Sequence, residues 1–350
     1  MTAPDTFPLS APLHGGPDSL GAAPHDFSTN SNACGPCPQA LAAVQQADAT
    51  RYPDPAYTAL RARLAAFHGV APARIVLAAS ASEFIHRVTA LAAQRGVRAV
   101  ALPAHSYGDY AQAAQARGLR LLRPTDAGHA AAGLHWACDP SSPLGAADPA
   151  LPAWASAAPG SALRVLDCAY APLCLHADQG DVASAAGPGV WGVPDAGTAW
   201  QLWTPNKALG LTGVRAAYAI APPGAAADVD ALNALAPSWP VGAHGVAMLD
   251  CWVDPAAQHW LAGCLPVLRG WKARQQALCD DLAWAVVPGS QANYFCAQLP
   301  SAQAQAGVRQ LRTHGIQVRD CSSFGLPGHW RLGVLPPAAQ EALRRAWLQR

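Results

Sequence analysis

Residues 204–215 read Thr-Pro-Asn-Lys-Ala-Leu-Gly-Leu-Thr-Gly-Val-Arg, and they lie between two apolar runs, Ala199–Trp203 and Val214–Pro222. Lys207 is therefore predicted to lie in a glycine-containing loop between two buried strands. The chain has only two lysines, Lys207 and Lys272, so arginine supplies nearly all of its positive charge. A lysine amine can lose its proton and form a Schiff base, whereas a guanidinium stays charged. The setting favours amine chemistry at Lys207 over the alternative of an ordinary surface lysine.

Composition limits the classes of protein to which the chain can belong. Its 350 residues are enough for one large and one smaller domain, and 51% apolar against 13% charged residues allow a sizeable core. A net charge of +1 argues against a nucleic-acid partner. Residues 1–10 lack the pattern of a signal peptide, and no apolar run approaches the roughly 20 residues of a transmembrane helix. We expect a cytoplasmic protein that binds neither nucleic acid nor membrane.

The ten cysteines indicate reduced thiols in an apolar core rather than a metal or redox site. Cys34 and Cys37 form the single Cys-x-x-Cys pair, and no second pair or histidine cluster stands at the spacing of metal ligands. We therefore expect no metal. The pattern leaves open whether Cys34 and Cys37 have any role.

Residues 36–227 alternate strands with helices, which is typical of an α/β domain. The seven predicted strands are Ile75–Ala79, Val97–Pro103, Leu119–Arg123, Leu134–Cys138, Leu163–Asp167, Gln201–Thr204 and Arg215–Ile220. Such alternation indicates a mostly parallel seven-stranded sheet sandwiched by helices. Ligands of such sheets bind beyond the carboxyl ends of the strands.

The two ends of the chain differ from this central part. Residues 1–35 are predicted to form an irregular arm rich in turn-forming residues. From residue 228 the pattern changes to helices, including a long one over Ala256–Val286, and then to short strands, among them Ile316–Arg319. Residues 228–350 are therefore predicted to form a long connecting helix and a smaller α+β domain.

Two strand ends carry candidate binding groups. Ser80-Ala81-Ser82-Glu83 lies at a strand-to-helix turn, where free N–H groups and the helix dipole favour an anion, although an ordinary helix cap is the alternative. Asp167 ends a buried strand and must find a partner there, for which a loop hydrogen bond is the alternative to a bound ligand.

Residues 204–218 resemble the lysine segment of the fold-type I pyridoxal-phosphate (PLP) enzymes, the aspartate aminotransferase superfamily. That segment usually reads Ser-x-Ser-Lys-x-x-Gly-x-x-Gly-x-Arg-x-Gly-Tyr. The residues in register with it are Lys207, Gly210, Gly213, Arg215 and Tyr218. Thr204 replaces the first serine, and Asn206 and Ala217 depart from the pattern. The resemblance extends over nearly the whole chain and implies the PLP-dependent transferase fold.

The resemblance implies PLP as the cofactor and suggests a role for each matching residue. Lys207 would hold the cofactor's aldehyde carbon, and Asp167 would keep its pyridine nitrogen protonated. Tyr170 would donate to the ring O3′, and Tyr107, in Tyr-Gly-Asp-Tyr, would stack on the ring. The residues expected at the cofactor phosphate are Ser80, Ala81, Ser82, Thr204 and Arg215.

Further matches concern the substrate and the neighbouring subunit. Ser142 stands where the family has an asparagine that bonds O3′, which leaves a weaker donor. Tyr52 matches a tyrosine that reaches the cofactor phosphate of the neighbouring subunit, which implies a homodimer. Arg331 falls at the arginine that binds the substrate carboxylate, for which a planar guanidinium is suited. The other expected substrate contacts are Arg319, His14 and Asn32.

Within the superfamily the chain is most similar to histidinol-phosphate aminotransferases and threonine-phosphate decarboxylases. The motif His14-Gly15-Gly16 and residues 318–327 favour the decarboxylase, so the first expectation is decarboxylation of L-threonine O-3-phosphate to aminopropanol phosphate in cobalamin biosynthesis. The alternative is an aminotransferase of the histidinol-phosphate type, in which Lys207 removes a proton from the substrate. A non-catalytic binding module with the same fold is the third hypothesis.

Overall fold

The computed structural model describes residues 14–155, 162–175 and 198–349, so the segment 1–10 lies outside the described residues. Its strands are β1 (His25–Asp26), β2 (Ile75–Ala78), β3 (Ala99–Ala101), β4 (Arg120–Leu122), β5 (Leu134–Cys138), β6 (Leu163–Asp167), β7 (Trp200–Trp203), β8 (Ala217–Ile220), β9 (Ala285–Val286), β10 (Tyr294–Gln298), β11 (Ile316–Gln317), β12 (Arg319–Asp320) and β13 (His329–Gly333). Its α-helices are α1 (Pro38–Gln45), α2 (Thr58–His68), α3 (Ala81–Gln94), α4 (Gly108–Gln115), α5 (Leu151–Ala155), α6 (Ala226–Ala234), α7 (Ala243–Trp252), α8 (Pro255–Asp281), α9 (Ser301–Thr313) and α10 (Pro337–Leu348).

Seven strands form the central sheet in the order β2-β8-β7-β6-β5-β3-β4. The strands from β7 to β4 in this order pair in parallel, whereas β8 runs antiparallel to both of its neighbours, β7 and β2. The predicted mostly parallel seven-stranded sheet is confirmed. Because the parallel strands end at one edge of the sheet, the loops that follow Ala78, Cys138, Asp167 and Trp203 meet there.

Apolar cores cover both faces of the central sheet. On β2, Ile75 and Leu77 belong to a core shared with α1, α2 and α7, whereas Val76 and Ala78 belong to another shared with α3, α4 and α6. Successive side chains of a strand point to opposite faces, so one fully buried strand contributes to both cores. The helices therefore enclose the sheet, as the alternating sequence predicts.

A second sheet, in the order β12-β13-β10-β9, is antiparallel throughout and packs with α9 and α10. Its core contains Trp284, Trp330 and Trp347, whose rings meet edge to face with centroids 4.8, 5.2 and 5.5 Å apart. This region matches the smaller α+β unit that the sequence predicts.

The long helix α8 contributes to the cores of both regions. Leu261, Leu265 and Leu268 in its first part pack in the core of the large sheet, and Leu278 and Cys279 near its end pack in the core of the small one. The change of core therefore lies inside α8. The domain limit after residue 227 stays a prediction.

The described part of the N-terminal arm is attached to the small region. β1 pairs in parallel with β11, with His25 opposite Ile316. Arg312 on α9 donates from Nε and Nη2 to the Asp18 carboxylate, both at 2.7 Å. The arm therefore contains a short strand that the expectation of an irregular arm missed, and this strand sets the path of the residues that follow it.

Most predicted strands of the central sheet differ by one or two residues at an end, and two further differences are larger. The long helix ends at Asp281 rather than Val286, because Ala283 takes a left-handed conformation with φ 58°, which a helix cannot continue. The predicted strand Ile316–Arg319 is divided between β11 and β12, which belong to different sheets. Sequence alternation indicates extended backbone there but does not identify the pairing partner. In the described residues, no helix has both the length and the apolar character to cross a membrane.

Candidate active site

A cavity of about 500 Å³ lies at the edge of the central sheet where the parallel strands end. Its wall contains residues from the arm, from the loops after the strands and from the small region. The sequence-predicted site residues in this wall are His14, Ser80, Ala81, Ser82, Tyr107, Ser142, Asp167, Tyr170, Thr204, Lys207, Arg215, Arg319 and Arg331. Thirteen side chains chosen from distant parts of the sequence therefore meet at one place.

The loop that contains Lys207 is held by the arm. Asn32 N donates to Lys207 O at 2.9 Å, and Cys37 N donates to Leu209 O at 2.8 Å. Gly210 has φ 69°, and a Cβ there would lie 2.7 Å from Gly35 O, so both the backbone conformation and the close approach require glycine. These contacts fix the backbone on both sides of the lysine.

Lys207 is half-buried and lines the cavity. Nζ is 3.4 Å from Thr204 Oγ1 and 5.3 Å from the centroid of the Tyr170 ring. Thr204 is itself buried. The amine therefore faces both the cavity and an aromatic ring, which is a setting for amine chemistry rather than for a surface charge.

Asp167 ends β6 as a buried carboxylate, 5% exposed. Its Oδ2 accepts from Tyr110 OH at 2.6 Å, and its Oδ1 accepts from Ala169 N at 2.9 Å. Burial raises the pKa of Asp167, while the Tyr110 hydrogen bond and the nearby Lys207 charge act to lower it. The predicted loop hydrogen bond is therefore present, and the carboxylate lies in the cavity wall as well.

Tyr170 links the sheet edge to the arm and the small region. Its hydroxyl accepts from Asn30 Nδ2 at 3.3 Å, and its ring packs edge-on against Tyr294 with centroids 4.7 Å apart. Asn30 is 3% exposed, and its Oδ1 has no hydrogen-bond partner among the described residues. An unsatisfied buried amide oxygen beside a cavity is available to a ligand donor.

The start of α3 forms both structures that its sequence allows, a helix N-cap and a candidate anion site. Ser80 Oγ accepts from Glu83 N at 3.1 Å, so Ser80 is the helix N-cap. Ser80, Ala81 and Ser82 also line the cavity, with the remaining first-turn N–H groups and the helix dipole beside it. Arg215, an exposed residue of the same wall, adds a positive charge, and the set suits an anion.

Asp109, the second residue of α4, connects three of the predicted site residues. Its carboxylate accepts from Ser82 Oγ and lies 3.2 Å from His14 Nε2. Tyr107 OH also bonds to it, and the His14 and Tyr107 rings lie 5.4 Å apart. Burial alone would raise the pKa of Asp109, but the hydrogen bonds from His14, Ser82 and Tyr107 outweigh it and leave the pKa lowered.

Arg331 on β13 is buried and only partly satisfied. Nη1 donates to Ser142 Oγ at 3.1 Å and Nη2 donates to Ser28 O at 2.9 Å. Its Nε has no hydrogen-bond partner among the described residues. A guanidinium has five N–H donors, so Arg331 can still bind an anion in a fixed orientation.

Arg319 lies one strand away, directly opposite Arg331 in the pairing of β12 with β13. Its Nη2 donates to Ser323 Oγ at 2.8 Å, and its guanidinium lies 5.0 Å from the Phe324 ring centroid. Burial and the neighbouring Arg331 charge lower the pKa of Arg319. Two arginines with this spacing form a positive wall on the small-region side of the cavity.

Two predicted site residues do not reach this cavity. Asn32 Nδ2 donates to Ala208 O at 3.0 Å and Asn32 Oδ1 accepts from Cys34 N at 3.0 Å, so its side chain holds the lysine loop instead of lining the wall. Tyr52 is 78% exposed and stacks on Trp239, with ring centroids 4.4 Å apart. Its predicted role in a neighbouring subunit stays a prediction.

Sequence reasoning missed Asn30, which lines the cavity, and also Asp109 and Tyr110, which act through other residues. Asp109 and Tyr110 follow Tyr107 within three residues, so the first turn of a helix beginning at the cavity was the available signal. All ten cysteines are free thiols in the structure. The described residues contain no group of three or more histidine, cysteine or acidic side chains that would hold a metal ion.

Comparison with known proteins identifies the family. The model of the class I and II aminotransferases matches residues 24–347. Histidinol-phosphate aminotransferase 1 of Thiobacillus denitrificans is 31% identical over 344 residues, covering 90% of this chain and 83% of the relative. The solved structure of histidinol-phosphate aminotransferase from Sinorhizobium meliloti in complex with pyridoxal-5′-phosphate has a TM-score of 0.78 at 24% identity, covering 99% of this chain and 98% of the other.

A second solved structure, L-threonine-O-3-phosphate decarboxylase from Porphyromonas gingivalis, has a TM-score of 0.72 at 19% identity and covers 93% of this chain and 99% of the other. At these identities the two structures show a shared fold. The family match extends over most of the chain and agrees with the resemblance seen in the lysine segment. The chain belongs to the class I and II aminotransferases, which are fold-type I PLP enzymes.

Proposed function

We propose that the protein is a PLP-dependent aminotransferase of the histidinol-phosphate type, which transfers the amino group of a phosphorylated amine to 2-oxoglutarate. The observation that carries the proposal is the meeting of a half-buried lysine, Lys207, and a buried strand-end carboxylate, Asp167, in a cavity lined by arginines. The 31% identical relative is named as a histidinol-phosphate aminotransferase, which supports this substrate class.

The side chains of the cavity fit PLP. Asp167 offers a buried carboxylate to a pyridinium nitrogen, and the start of α3 with Arg215 offers an anion site to a phosphate. Tyr107 offers an aromatic face, and Lys207 offers the amine for the aldehyde. When bound, PLP supplies an electron sink for bonds to the substrate carbon that carries nitrogen. The family glycines are replaced at Ala78 and Ser80, which constrains the turn but leaves its N–H groups in place.

The charges of the wall fit substrates that are anions. Lys207, Arg215, Arg319 and Arg331 carry positive charge, whereas Asp167 is the only carboxylate among the described residues of the wall. An excess of one sign in a cleft raises the local concentration of ligands of the opposite sign. A phosphorylated amine and a dicarboxylate keto acid both meet this condition.

Each reacting group has a definite task in this proposal. Lys207 Nζ removes the proton from the substrate carbon that carries the amino group, and in the second half of the reaction it delivers a proton to the keto carbon of 2-oxoglutarate, with Thr204 Oγ1 at 3.4 Å to orient the amine. Arg331 binds the carboxylate of 2-oxoglutarate through the donors that Ser28 and Ser142 leave free. Burial of Arg331 excludes water from that contact and strengthens it.

Decarboxylation of threonine phosphate, the first expectation from the arm and loop motifs, is the second candidate. One structural observation supports it: His14 of the arm motif lies in the cavity wall, where it would contact a substrate phosphate. The relatives nevertheless support the aminotransferase better, because the decarboxylase is represented by a structural neighbour at 19% identity. Its chemistry is distinguishable, since it needs no keto acid.

One assay separates the two candidates. The purified protein is incubated with PLP, histidinol phosphate and 2-oxoglutarate, and separately with PLP and threonine phosphate without keto acid, and the products are analysed by mass spectrometry. We expect glutamate in the first mixture, none with Lys207→Arg, and unchanged threonine phosphate in the second. Aminopropanol phosphate in the second mixture alone would replace the proposal with the decarboxylase, and no product in either would contradict both.

We also propose a homodimer in which Tyr52 completes the neighbouring subunit's site. Tyr52 and Trp239 stack as an aromatic pair and are 78% and 40% exposed, respectively, away from their own cavity. Exposed stacked aromatics are typical of the core of a protein interface. Sedimentation of the protein should give twice the chain mass, and Tyr52→Ala in a stable dimer should weaken PLP binding.

A further inference from the structure

Tyr110 is fully buried in the first turn of α4 and is absent from the residues that line the cavity. Its ring stacks on Trp136, with centroids 4.3 Å apart and planes inclined by 8°. Its hydroxyl donates to Asp167 Oδ2 at 2.6 Å. Because the ring is stacked, the hydroxyl has little freedom, and packing fixes the direction of its hydrogen bond.

Asp167 needs such a donor because a buried carboxylate becomes neutral unless hydrogen bonds or charges stabilise its ionised form. Its described donors are the Tyr110 hydroxyl and the backbone N–H of Ala169. Lys207 is the nearby positive charge, and Asp109 is a nearby negative one that opposes ionisation. The other titratable groups near the carboxylate are the thiols of Cys138 and Cys168, whose pKa values burial raises.

We propose that Tyr110 is a positioning residue that keeps Asp167 ionised and fixes the orientation of its carboxylate toward the cavity. The proposal rests on the proposed function in one respect, since the ionised carboxylate matters most when a pyridinium nitrogen is bound beside it. Each Asp167 oxygen accepts one internal hydrogen bond and keeps a further lone pair for a ligand. Tyr107, the N-cap residue of α4, packs edge-on against Tyr110 with ring centroids 5.7 Å apart. The start of α4 therefore positions both the Tyr107 ring and, through Tyr110, the Asp167 carboxylate.

The alternative is that Tyr110 serves packing alone. Tyr218 provides the matched control, because it is also fully buried and its hydroxyl also bonds side chains, His68 at 2.7 Å and Trp252 at 3.0 Å. It lies outside the cavity wall. Loss of a hydroxyl that serves packing alone should therefore have the same consequences at positions 110 and 218.

The first experiment measures the PLP dissociation constant and the pH dependence of the absorbance of bound PLP in wild type, Tyr110→Phe, Tyr218→Phe and Asp167→Asn. We expect the dissociation constant to rise roughly tenfold in Tyr110→Phe, as for loss of a hydrogen bond to a charged group, and further in Asp167→Asn. The absorbance titration should shift in both of these variants and stay as in wild type in Tyr218→Phe. An unchanged titration and affinity in Tyr110→Phe, with both changed in Asp167→Asn, would overturn the proposal.

The second experiment needs no cofactor and therefore separates this proposal from the proposed function. Burial raises the folded pKa of Asp167 above its ordinary value, so its contribution to stability is complete at low pH and declines as pH rises through the folded pKa. Loss of the Tyr110 hydroxyl raises that pKa further. The urea midpoint of Tyr110→Phe should therefore fall increasingly below that of wild type as pH rises through the folded pKa of Asp167.

The Tyr218→Phe difference should stay constant over that range. A pH-independent difference in Tyr110→Phe would overturn the proposal. If wild type binds no PLP, the proposed function fails and this unfolding measurement decides the role of Tyr110 by itself.

Discussion

The cavity has two sides that are built in different ways. The side proposed for the cofactor, called the cofactor side below, consists of residues at the ends of sheet strands, Ser80, Asp167 and Thr204, with Lys207 in the loop after one of them. The side proposed for the substrate, called the substrate side below, consists of His14 and Asn30 of the arm with Arg319, Phe324 and Arg331 of the small region. One sheet therefore holds the cofactor side, whereas the substrate side depends on two segments meeting across the cavity.

This difference predicts that the chemistry, which depends on the sheet, is constant, whereas the substrate specificity, which depends on the arm and the small region, varies. The strands β2 and β6 are buried over nearly their whole length, so the groups at their ends keep one geometry. The substrate side is held by backbone acceptors and short side-chain contacts, such as Ser28 O with Arg331 and Phe324 O with His105. Such contacts can change without loss of the fold, which allows one family to use many substrates.

The largest expected effect is that of Lys207→Ala on the cofactor side. Removal of the amine should lower turnover by about 1,000-fold or more with every amino donor, because the same group moves the proton for all of them. Steady-state rates with histidinol phosphate and, in the reverse direction, with glutamate measure it. If Lys207→Ala kept its rate with one donor, the division between a common cofactor side and a selective substrate side would be wrong.

Arg331→Lys should have the next largest effect and act on the substrate side alone. A lysine keeps the charge but loses the fork that bonds Ser142 and Ser28 while leaving donors for a carboxylate. We expect the KM for 2-oxoglutarate to rise on the order of 100-fold, with little change in PLP affinity. Arg345→Lys, an exposed residue of α10, is the matched control. A fall in PLP affinity by the same factor as the rise in KM would contradict the separation of the two sides.

Asp109→Asn should test the junction between the sides, since Asp109 holds both Ser82 and His14. The amide keeps one acceptor but loses the charge, so the KM for the phosphorylated substrate should rise about tenfold as His14 loosens. Because the pKa of Asp109 is lowered, its contribution to stability is present above its unfolded pKa and is lost as pH falls through the folded one.

The free energy of unfolding of Asp109→Asn should therefore be about 1 kcal/mol lower than that of wild type near pH 7. That difference should vanish in acid. Asp250→Asn, which breaks an exposed ion pair with Arg63, is the control and should alter neither quantity. A change in kcat without a change in KM would show that Asp109 acts on the cofactor side only.

The same division explains what sequence could foresee. The lysine segment, Asp167 and the start of α3 each follow an apolar run that the sequence identifies as a strand. Their position at a strand end was therefore sufficient to predict each of them as a site residue. Asn32 was expected at the substrate, yet its side chain bonds Ala208 O, because sequence does not tell which way a residue of an arm faces. Asn30, Asp109 and Tyr110 were missed because their roles depend on contacts 140, 27 and 57 residues away along the chain.

The smallest expected effect is that of a substitution at His68, which packs against Trp203 of β7 and does not line the cavity. Its ring bonds Tyr218 OH at 2.7 Å and lies 4.9 Å from the Trp203 ring, and burial lowers its pKa from 6.5 to about 3. Between those values the unfolded chain takes up a proton that the folded chain does not, so stability falls as pH drops from 6.5 toward 3.

His68→Gln can still bond Tyr218 but carries no charge, so it should remove this part of the acid loss and gain about 1–2 kcal/mol relative to wild type at pH 5. Urea unfolding at pH 5 and pH 7.5 measures the difference, with His259→Gln on α8 as a control. The activity at neutral pH should not change, because His68 lies outside the cavity wall. A fall in activity in His68→Gln would mean that packing of His68 against Trp203 of β7 affects the position of Lys207. The cofactor side would then include residues behind the sheet as well as those at its edge.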